Sequence, residues 1–383
     1  MQSKVENTSN MNRKIIKMIS PEPQAIEMRA IKEAMYLQDK GADIEVLFWD
    51  RSQDKEEPEM VNIEGIKCTT FYIKSQMGTF LKQLGAMKEY KRRCKAYLQG
   101  KKVDFLHCQN LQGMMVGVYA KPNKDTKLVF DVREKYEVMT PTYRKIRYLI
   151  RAQVNRLLKK CYASVCVNEQ LRKDTPKKLR SKVFVLPNYP LAKQFQDAVK
   201  SKSDFLRINY IGVVRGQAEL FKMLFEACKD MPQVRINVHG TGMDYEELLK
   251  ISEKYPNTNI TGAYNAMNDS ARLYSETDVL LCAYPPEGQI MERGGMPIKF
   301  MEAIITGTPI LIPKYMWLSE IVQRDGLGYI IQEYSTQSIR QAIEKIIADR
   351  ENLYQIAANI EKVKSQYCWE TAVTILDKIY FAV

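Results

Sequence analysis

Histidine is scarce in this chain, which has only His107 and His239 among its 383 residues. Its eight cysteines are scattered, and no two of them stand in a CxxC arrangement. Structural zinc sites use cysteine and histidine ligands at close spacing, so we exclude a zinc site and predict no bound metal. A disulfide framework is also not expected in a large intracellular chain, so the cysteines are predicted to be small core residues.

Long apolar runs are missing as well. No stretch of about 18 uncharged apolar residues occurs, so the sequence predicts no transmembrane helix. The first residues, MQSKVENTSNMNRKIIKMIS, lack the apolar region and cleavage site of a signal peptide, and we therefore expect a cytoplasmic protein. Residues 1–11 are mostly polar and are expected to form a disordered tail, with Met11 as an alternative start.

Positive charge is abundant, with a formal net charge of +13, and it lies mainly in the first half of the chain. Residues 74–102 carry a net +8 and residues 142–182 a net +11, so the remaining residues are acidic overall. Tyr, Ile and Leu are interleaved with these cations, as in helices that lie on anionic lipid. The alternative is a pair of ordinary amphipathic helices with solvated cations. The residues predicted to face a membrane or an acceptor are Arg144, Lys145, Arg147, Arg151, Arg156, Lys159 and Lys160.

Apolar strand-like segments alternate with helical patterns along the chain, which predicts parallel sheets. The length suits two domains, and the Pro187-Asn188-Tyr189-Pro190 break separates two such series. The predicted strands are 15–20, 44–49, 103–107, 128–132, 164–167, 182–186, 207–212, 234–240, 259–261, 278–282 and 309–312. The predicted helices are 25–41, 111–121, 142–161, 218–230 and 245–254.

The fold class predicted from this order is α/β, with two Rossmann-like doubly wound domains that face each other across a cleft. Ligands favour such domain interfaces and the carboxyl ends of the strands. The predicted division is a tail at 1–11, an N-terminal domain at 12–190, a linker at 191–205, a C-terminal domain at 206–365 and a final helix at 366–383 that packs back on the N-terminal domain.

The segment Gly294–Pro313, GGMPIKFMEAIITGTPILIP, predicts a loop, a helix, a turn and a buried strand. Lys299 is the only cation of its apolar helix and Glu302 the only carboxylate. A helix N-terminus that follows glycines and carries a lysine in its first turn can hold phosphate. A carboxylate one turn deeper can accept hydrogen bonds from ribose hydroxyls. Together they indicate a nucleotide-diphosphate site; the alternative is a solvated Lys/Glu pair.

Five short motifs in the second half resemble, in order, those of glycosyltransferase family 4, whose members have the GT-B fold and use sugar nucleotides. Each match alone is weak, but five in order over about 100 residues are specific. They are Asn209–Gly212, Val238–Gly242, Asn259–Gly262, Leu273–Leu281, and Pro297–Ala303 with Gly307–Pro309. Looser matches elsewhere are Asp131–Glu134, Val185–Asn188 and Trp369.

The resemblance implies a glycosyltransferase of the hexosyltransferase class that uses a UDP- or GDP-type sugar donor, needs no other cofactor and acts with retention. Glu302 would hold the ribose, and the turn at 260–262 would lie near the base. The residues expected to act in catalysis are Arg215, Lys299, Glu302, Arg133 and Glu134. The residues expected to bind the donor are Gly240, Gly242, Gly262, Gly294, Gly295, Met296, Pro297, Ile298 and Glu292.

Three positions depart from the family pattern. Gly294 stands where the family has a glutamate eight residues before Glu302, so retention versus inversion stays open. Glu292 or Glu287 could replace that glutamate, although both also suit a solvated loop. Arg133 replaces a histidine and could equally belong to a structural ion pair with Glu134. Of the usual Arg/Lys diphosphate pair, Arg215 is in place and Lys222 is displaced.

The sequence therefore favours an enzyme that builds a cell-surface polysaccharide or glycolipid on a lipid-linked or membrane-associated acceptor. We expect it to be peripheral on the inner face of the membrane. Alternatives are a GT-B epimerase or hydrolase, an inactive partner subunit of a glycosyltransferase, and a basic nucleic-acid-binding protein. No nucleic-acid-binding motif occurs, so nucleic acid is not an expected partner. The base, the sugar, the acceptor and the oligomeric state are not identified.

Overall fold

The structure is a computed structural model that describes residues 13–23, 27–75, 80–138, 145–286 and 296–382. The chain divides into two compact units. The first consists of Met1–Pro187 and Val373–Val383, and the second of Asn188–Ala372. The chain thus enters the second unit within the Pro187–Pro190 break. The expected tail at 1–11 lies outside the described residues.

An eight-stranded sheet forms the centre of the first unit, in the order β3-β4-β2-β1-β5-β6-β7-β8. All neighbouring strands are parallel except β3 and β4, which are antiparallel. The strands are β1 Ile15–Ser20, β2 Asp43–Asp50, β3 Glu59–Ile63, β4 Ile66–Tyr72, β5 Phe105–Gln109, β6 Lys127–Val132, β7 Ala163–Cys166 and β8 Val183–Val185.

The β3–β4 hairpin is the part of this sheet that the sequence does not predict. β3 (EMVNI) is almost entirely exposed at the sheet edge, so it lacks the apolar pattern of a buried strand. The two strands are joined by a turn in which Glu64 and Gly65 have φ values of 50° and 83°. An exposed strand at the edge of a sheet leaves little periodic signal in the sequence.

Helices cover both faces of this sheet. Right-handed crossovers place α1 on one face and the helices that follow β4, β5 and β6 on the other. The helices are α1 Met28–Asp39, α2 Phe80–Leu98, α3 Asn110–Ala120, α4 Arg147–Lys160 and α5 Glu169–Asp174. Short 3-10 segments are Tyr136–Val138 and Lys177–Lys182.

A buried aromatic pair joins β2 to α2 in the first core. The rings of Trp49 and Tyr90 stack with centroids 5.3 Å apart. Both polar tips are satisfied, because Trp49 Nε1 donates to the Ile73 carbonyl at 2.9 Å and Tyr90 Oη donates to the Leu47 carbonyl at 3.0 Å. The pair therefore adds a large buried apolar area without leaving a buried donor unpaired.

The second unit has a six-stranded, fully parallel sheet in the order β11-β10-β9-β12-β13-β14. Its strands are β9 Leu206–Ile211, β10 Val234–His239, β11 Thr258–Gly262, β12 Val279–Leu281, β13 Ile310–Pro313 and β14 Gly328–Ile331. Its main helices are α6 Ala218–Cys228, α7 Tyr245–Ser252, α8 Ala266–Ser275, α9 Ile298–Ile305, α10 Leu318–Asp325, α11 Thr336–Ala348 and α12 Asn352–Val363. The strand order reverses beside β9, which makes the carboxyl end of β9 a topological switch point.

The chain end is segmented where the sequence predicts one helix. It consists of α13 Trp369–Ala372, the 3-10 segment Val373–Leu376 and α14 Asp377–Tyr380, after a 3-10 segment at Lys364–Tyr367. Within the second unit, the Trp369 amide donates to the Pro190 carbonyl at 3.1 Å. Within the first unit, Tyr380 Oη lies 2.7 Å from His107 Nδ1. The predicted linker contains a 3-10 segment at Ala192–Phe195.

Every cysteine of the chain is free and buried. Burial raises the pKa of most of these thiols, for example that of Cys94 and that of Cys282 to about 12. This agrees with the prediction that the cysteines are core residues. Among the described residues, no helix is both long enough and apolar enough to cross a lipid bilayer.

Candidate functional site

In the second unit, the loops that follow β9 and β10 pack closely and form backbone hydrogen bonds with each other. The Gly212 amide donates to the His239 carbonyl at 2.8 Å, and the Val214 amide donates to the Thr241 carbonyl at 3.0 Å. A Cβ atom at Gly240 would lie 2.0 Å from the Gly212 carbonyl oxygen, and one at Gly242 would lie 2.0 Å from that of Val214. Only glycine therefore allows this backbone-on-backbone contact.

Lys299 lies in the first turn of α9, which begins after Pro297, and its side chain is buried with 6% of its surface exposed. Its Nζ lies 3.1 Å from the centroid of the Tyr210 ring, and a Cβ at Gly212 would be 3.0 Å from it. Among the described residues, no group accepts a hydrogen bond from this Nζ. Burial lowers the pKa of Lys299 to about 7. An amine without a hydrogen-bond acceptor thus lies beside the loop that follows β9, residues 212–217, which we call the β9 loop.

Glu302 is partly buried one turn further along α9. Tyr274 Oη donates to Glu302 Oε2 at 3.0 Å, which holds the carboxylate in place. Burial raises the pKa of Glu302, although Tyr274 and Lys299 oppose this shift. Burial and the nearby charge of Glu302 also raise the pKa of Tyr264 to about 12. The carboxylate therefore lies among the side chains of Tyr264, Tyr274 and Lys299 rather than in open solvent.

A buried glutamine braces the β9 loop. Gln217 Oε1 accepts from Tyr210 Oη at 2.8 Å, and its Nε2 donates to the Ala283 carbonyl at 2.9 Å. The Gln217 amide donates to Asp244 Oδ2 at 2.5 Å. Because Tyr210 carries the ring that Lys299 contacts, these bonds fix the surface against which the lysine rests.

The structure brings together a subset of the residues predicted from sequence. Lys299 and Glu302 share one face of α9, and Gly240 lies beside Gly262, whose carbonyl accepts from the Gly240 amide at 2.7 Å. Arg215 is exposed in the loop after β9. Met296 and Pro297 are partly exposed, and Ile298 is 49% exposed. Glu287, Glu292, Gly294 and Gly295 lie outside the described residues.

His239 and Lys222 have other surroundings. His239 Nδ1 lies 2.8 Å from Thr261 Oγ1, and burial lowers the pKa of the imidazole to about 4. This residue lines a pocket of about 500 Å³ between the sheet and α8. Lys222 is exposed on α6, with its Nζ 3.7 Å from Glu219. It does not share the buried setting of Lys299.

Arg133 lies in the first unit within a buried ionic network. Its Nε donates to Asp131 Oδ2 at 3.1 Å, its Nη1 to Glu27 Oε2 at 2.5 Å, and its Nη2 to Gln109 Oε1. Burial opposes the charge, but the Asp131 and Glu27 carboxylates outweigh it and raise the pKa of Arg133. All three guanidinium nitrogens therefore have protein acceptors, which are Asp131, Glu27 and Gln109. Glu134, the next residue, is partly buried.

The same network contains a group of possible metal ligands, Glu33, His107 and Asp131, all of them buried. Arg29 Nε already lies 3.2 Å from Glu33 Oε1 and 2.8 Å from Asp131 Oδ2. Burial raises the pKa of Glu33 to about 7 and lowers that of His107 to about 4. The guanidinium supplies the positive charge that the carboxylates need, so this group does not suit a cation.

The basic residues predicted to face a membrane lie mostly on α4. Lys145 precedes this helix and is exposed, and Arg144 lies outside the described residues. The helix spans Arg147–Lys160, and residues 142–144 of the predicted 142–161 lie outside the described residues. The exposed cations on it are Arg147, Arg151, Arg156, Lys159 and Lys160.

The aromatic surroundings of Lys299 are the part of the site that the sequence does not predict. Tyr210 is inside β9, Tyr274 is on α8, and Tyr284 follows β12, with its ring centroid 5.4 Å from Lys299 Nζ. In the sequence, each of these tyrosines resembles an ordinary aromatic core residue. They come into contact with Lys299 only because the parallel strands place them side by side. No periodic signal along the sequence could have indicated this meeting.

Lys299 is expected to make the stability of the second unit depend on pH. An unfolded lysine has a pKa of about 10.4, whereas that of folded Lys299 is about 7. Between these values the unfolded state binds more protons, so the free energy of unfolding should rise with pH. Below about 7 both states are protonated, so this pH dependence disappears and the destabilisation by the buried ammonium is greatest. Urea unfolding of the wild type and of Lys299→Met from pH 6.5 to 9.5 tests this. Equal slopes for both proteins would contradict it.

A match to a known protein family lies within the second unit of the chain. Residues 192–363 match the family described as Glycosyl transferases group 1. An uncharacterized glycosyltransferase of Methanocaldococcus jannaschii is 23% identical over 193 residues, which is 49% of this chain and 47% of that protein. The poly(glycerol-phosphate) alpha-glucosyltransferase of Bacillus subtilis is 22% identical over 142 residues, 36% of this chain and 20% of that protein. This chain thus spans less than half the length of either relative.

Solved structures match nearly the whole chain at low identity. Sucrose-phosphate synthase from Thermosynechococcus elongatus has a TM-score of 0.69 and 16% identity, covering 96% of this chain and 98% of that one. The Anabaena protein HepE, in complex with UDP and glucose, has a TM-score of 0.65 and 14% identity, covering 97% and 100%. These likenesses confirm the predicted α/β class and the GT-B fold.

Proposed function

We propose that this chain, which carries a domain of the glycosyl transferases group 1 family in residues 192–363, moves a sugar from a nucleoside-diphosphate donor to a glycan acceptor. The observation that carries the proposal is the buried, unpaired amine of Lys299 in the first turn of α9. A buried amine without an acceptor is costly, and such groups cluster at functional sites. A diphosphate would supply the missing acceptors.

The chemistry of transfer needs positive charge where the sugar leaves. As the glycosidic bond to the donor breaks, negative charge builds on the departing diphosphate. Lys299 and the free amides of the α9 N-terminus would neutralise it from one side, and the exposed Arg215 would do so from the β9 loop. Glu302, held by Tyr274 Oη at 3.0 Å, would accept hydrogen bonds from the ribose hydroxyls.

The donor is proposed to be of the UDP or GDP type. HepE, one of the structurally similar proteins, has been solved with UDP and with UDP-glucose. Starch synthase IV from Arabidopsis thaliana, with a TM-score of 0.67, was solved with ADP and acarbose. The base therefore varies among proteins of this fold, and a direct comparison of nucleotides is needed.

A thermal-shift panel of UDP, GDP, ADP and their glucose conjugates tests the proposal. A ligand at 100 times its Kd stabilises the folded state by about 2.7 kcal/mol. For a unit of this size this corresponds to a rise of roughly 5–10 °C in melting temperature. We expect one diphosphate series to give such a shift and the matching free nucleoside to give little. Absence of any shift at millimolar nucleotide would overturn the proposal.

The acceptor is proposed to be a lipid-linked or membrane-associated glycan. In this proposal the exposed cations of α4 in the first unit lie on an anionic membrane. One relative's name includes a poly(glycerol-phosphate), and one similar structure, with a TM-score of 0.61, is the lipopolysaccharide outer core galactosyltransferase WaaB. Salt-dependent co-flotation with anionic vesicles would support this placement, and absence of flotation would oppose it.

Retention of configuration at the anomeric carbon is proposed from the family resemblance, and proton NMR of the new glycosidic bond would decide it.

A further inference from the structure

A small pocket opens between three helices of the first unit. Its volume is about 170 Å³, the space of roughly six water molecules. The helices that form it, α2, α3 and α4, share one face of the eight-stranded sheet. The residues that line it are Lys91, Met115, Val118, Gln153, Arg156, Leu157 and Lys160.

The charge of this pocket is of one sign. Lys91, Arg156 and Lys160 contribute three cations, and no acid is among the lining residues. Within the described part of the chain, none of the three forms an ion pair. Burial lowers the pKa of Lys91, and no carboxylate opposes that shift. Neighbouring arginines differ, since Arg92 and Arg93 share Glu89 at 2.7 and 2.8 Å. Among the described residues, no carboxylate thus neutralises the three pocket cations, of which Lys91 is partly buried and Arg156 and Lys160 are exposed.

Apolar side chains stand beside these cations. On α4, Leu149, Gln153, Arg156 and Lys160 follow the three- and four-residue spacing of one helix face. Leu149 is 69% exposed, so this face combines a protruding apolar residue with cations. Tyr119, next to Val118, is 49% exposed, and Lys95 Nζ lies 4.9 Å from its ring centroid. A free anion in water would not cover these apolar groups.

We propose that this pocket binds the phosphodiester head group of an anionic membrane phospholipid. Lys91, Arg156 and Lys160 would donate to the phosphate oxygens, while Leu149 and Tyr119 would enter the interfacial layer of the lipid. Met115, Val118 and Leu157 form an apolar wall for the glycerol carbons. The inference rests on the proposed membrane-facing role of the first unit. It adds a specific head-group site to the general attraction between basic residues and an anionic membrane.

The test compares two variants that lose the same charge. The pocket variant carries Lys91→Gln, Arg156→Gln and Lys160→Gln. The control variant carries Lys88→Gln, Lys95→Gln and Lys159→Gln, which are exposed positions on the same two helices outside the pocket lining. Binding is measured by co-flotation with vesicles of phosphatidylglycerol and phosphatidylcholine and with vesicles of phosphatidylcholine alone. Thermal melting verifies that both variants are folded.

We expect the wild type to bind phosphatidylglycerol vesicles and the pocket variant to bind about tenfold more weakly than the control variant, because direct hydrogen bonds to a charged phosphate are lost. Equal losses in both variants would leave the proposed membrane placement standing and overturn the pocket. No flotation of the wild type would overturn both. Equal thermal stabilisation of wild type by soluble glycerol 3-phosphate and by vesicles would identify a free phosphate ester instead and overturn the membrane ligand.

Discussion

Methionine in place of Lys299 is expected to weaken binding of the nucleoside diphosphate that stabilises the wild type by about 10- to 100-fold, because a charged donor to phosphate is lost. The same change should raise the melting temperature of the ligand-free protein at neutral pH. A buried amine without an acceptor destabilises the fold, and methionine fills a similar volume without that cost. Isothermal titration and thermal melting measure the two effects.

The opposite signs distinguish a ligand-binding residue from a structural one. A lysine that served only packing would lower stability when replaced and would leave nucleotide affinity unchanged. Lys222→Met is the matched control, because Lys222 is exposed on α6 and pairs with Glu219 at 3.7 Å. We expect it to change neither quantity appreciably. Unaltered affinity in Lys299→Met would remove this residue from the site.

Removal of the Asp131 carboxylate is expected to destabilise the first unit by about 3–5 kcal/mol, since Arg29 and Arg133 would each lose one buried carboxylate partner. Asp131 is fully buried and accepts from Arg29 Nε at 2.8 Å and from Arg133 Nε at 3.1 Å. Burial alone would raise the pKa of this carboxyl, but the Arg29 guanidinium outweighs it and holds the pKa below its usual value. For Asp131→Ala we expect a drop in melting temperature of roughly 10 °C.

A surface carboxylate provides the comparison for this change. Glu89 bonds Arg92 and Arg93 on α2 but is only partly buried. Exposed pairs of this kind contribute about 0–1 kcal/mol, so Glu89→Gln should melt within a few degrees of the wild type. Similar melting temperatures for the Asp131 and Glu89 variants would show that the network is not structurally important.

The α9 helix illustrates what the sequence could predict. Its apolar residues recur with helical spacing between a proline and a glycine, so the segment 297–307 was predictable as a helix that presents Lys299 and Glu302 together. The structure has that helix at Ile298–Ile305. Local order along the chain contains this information because each contact involved spans only one or two turns.

The network around Arg133 illustrates what the sequence could not predict. Arg133 is 106 residues from Glu27 and 24 from Gln109, and no periodic pattern links them. The same holds for the tyrosines that surround Lys299, which come from separate strands and helices. Long-range contacts of this kind depend on how parallel strands are ordered in the sheet. No single segment of the sequence specifies that order.

The burial of all eight cysteines determines how the protein can be labelled. Maleimides and related reagents attack the thiolate, and buried thiols with raised pKa values supply very little of it. The natural chain should therefore stay unmodified in its folded state. A single cysteine substituted for the exposed Leu149 would be its one fast-reacting position. A fluorophore or spin label attached there would test the proposed entry of this residue into lipid without removing any native cysteine.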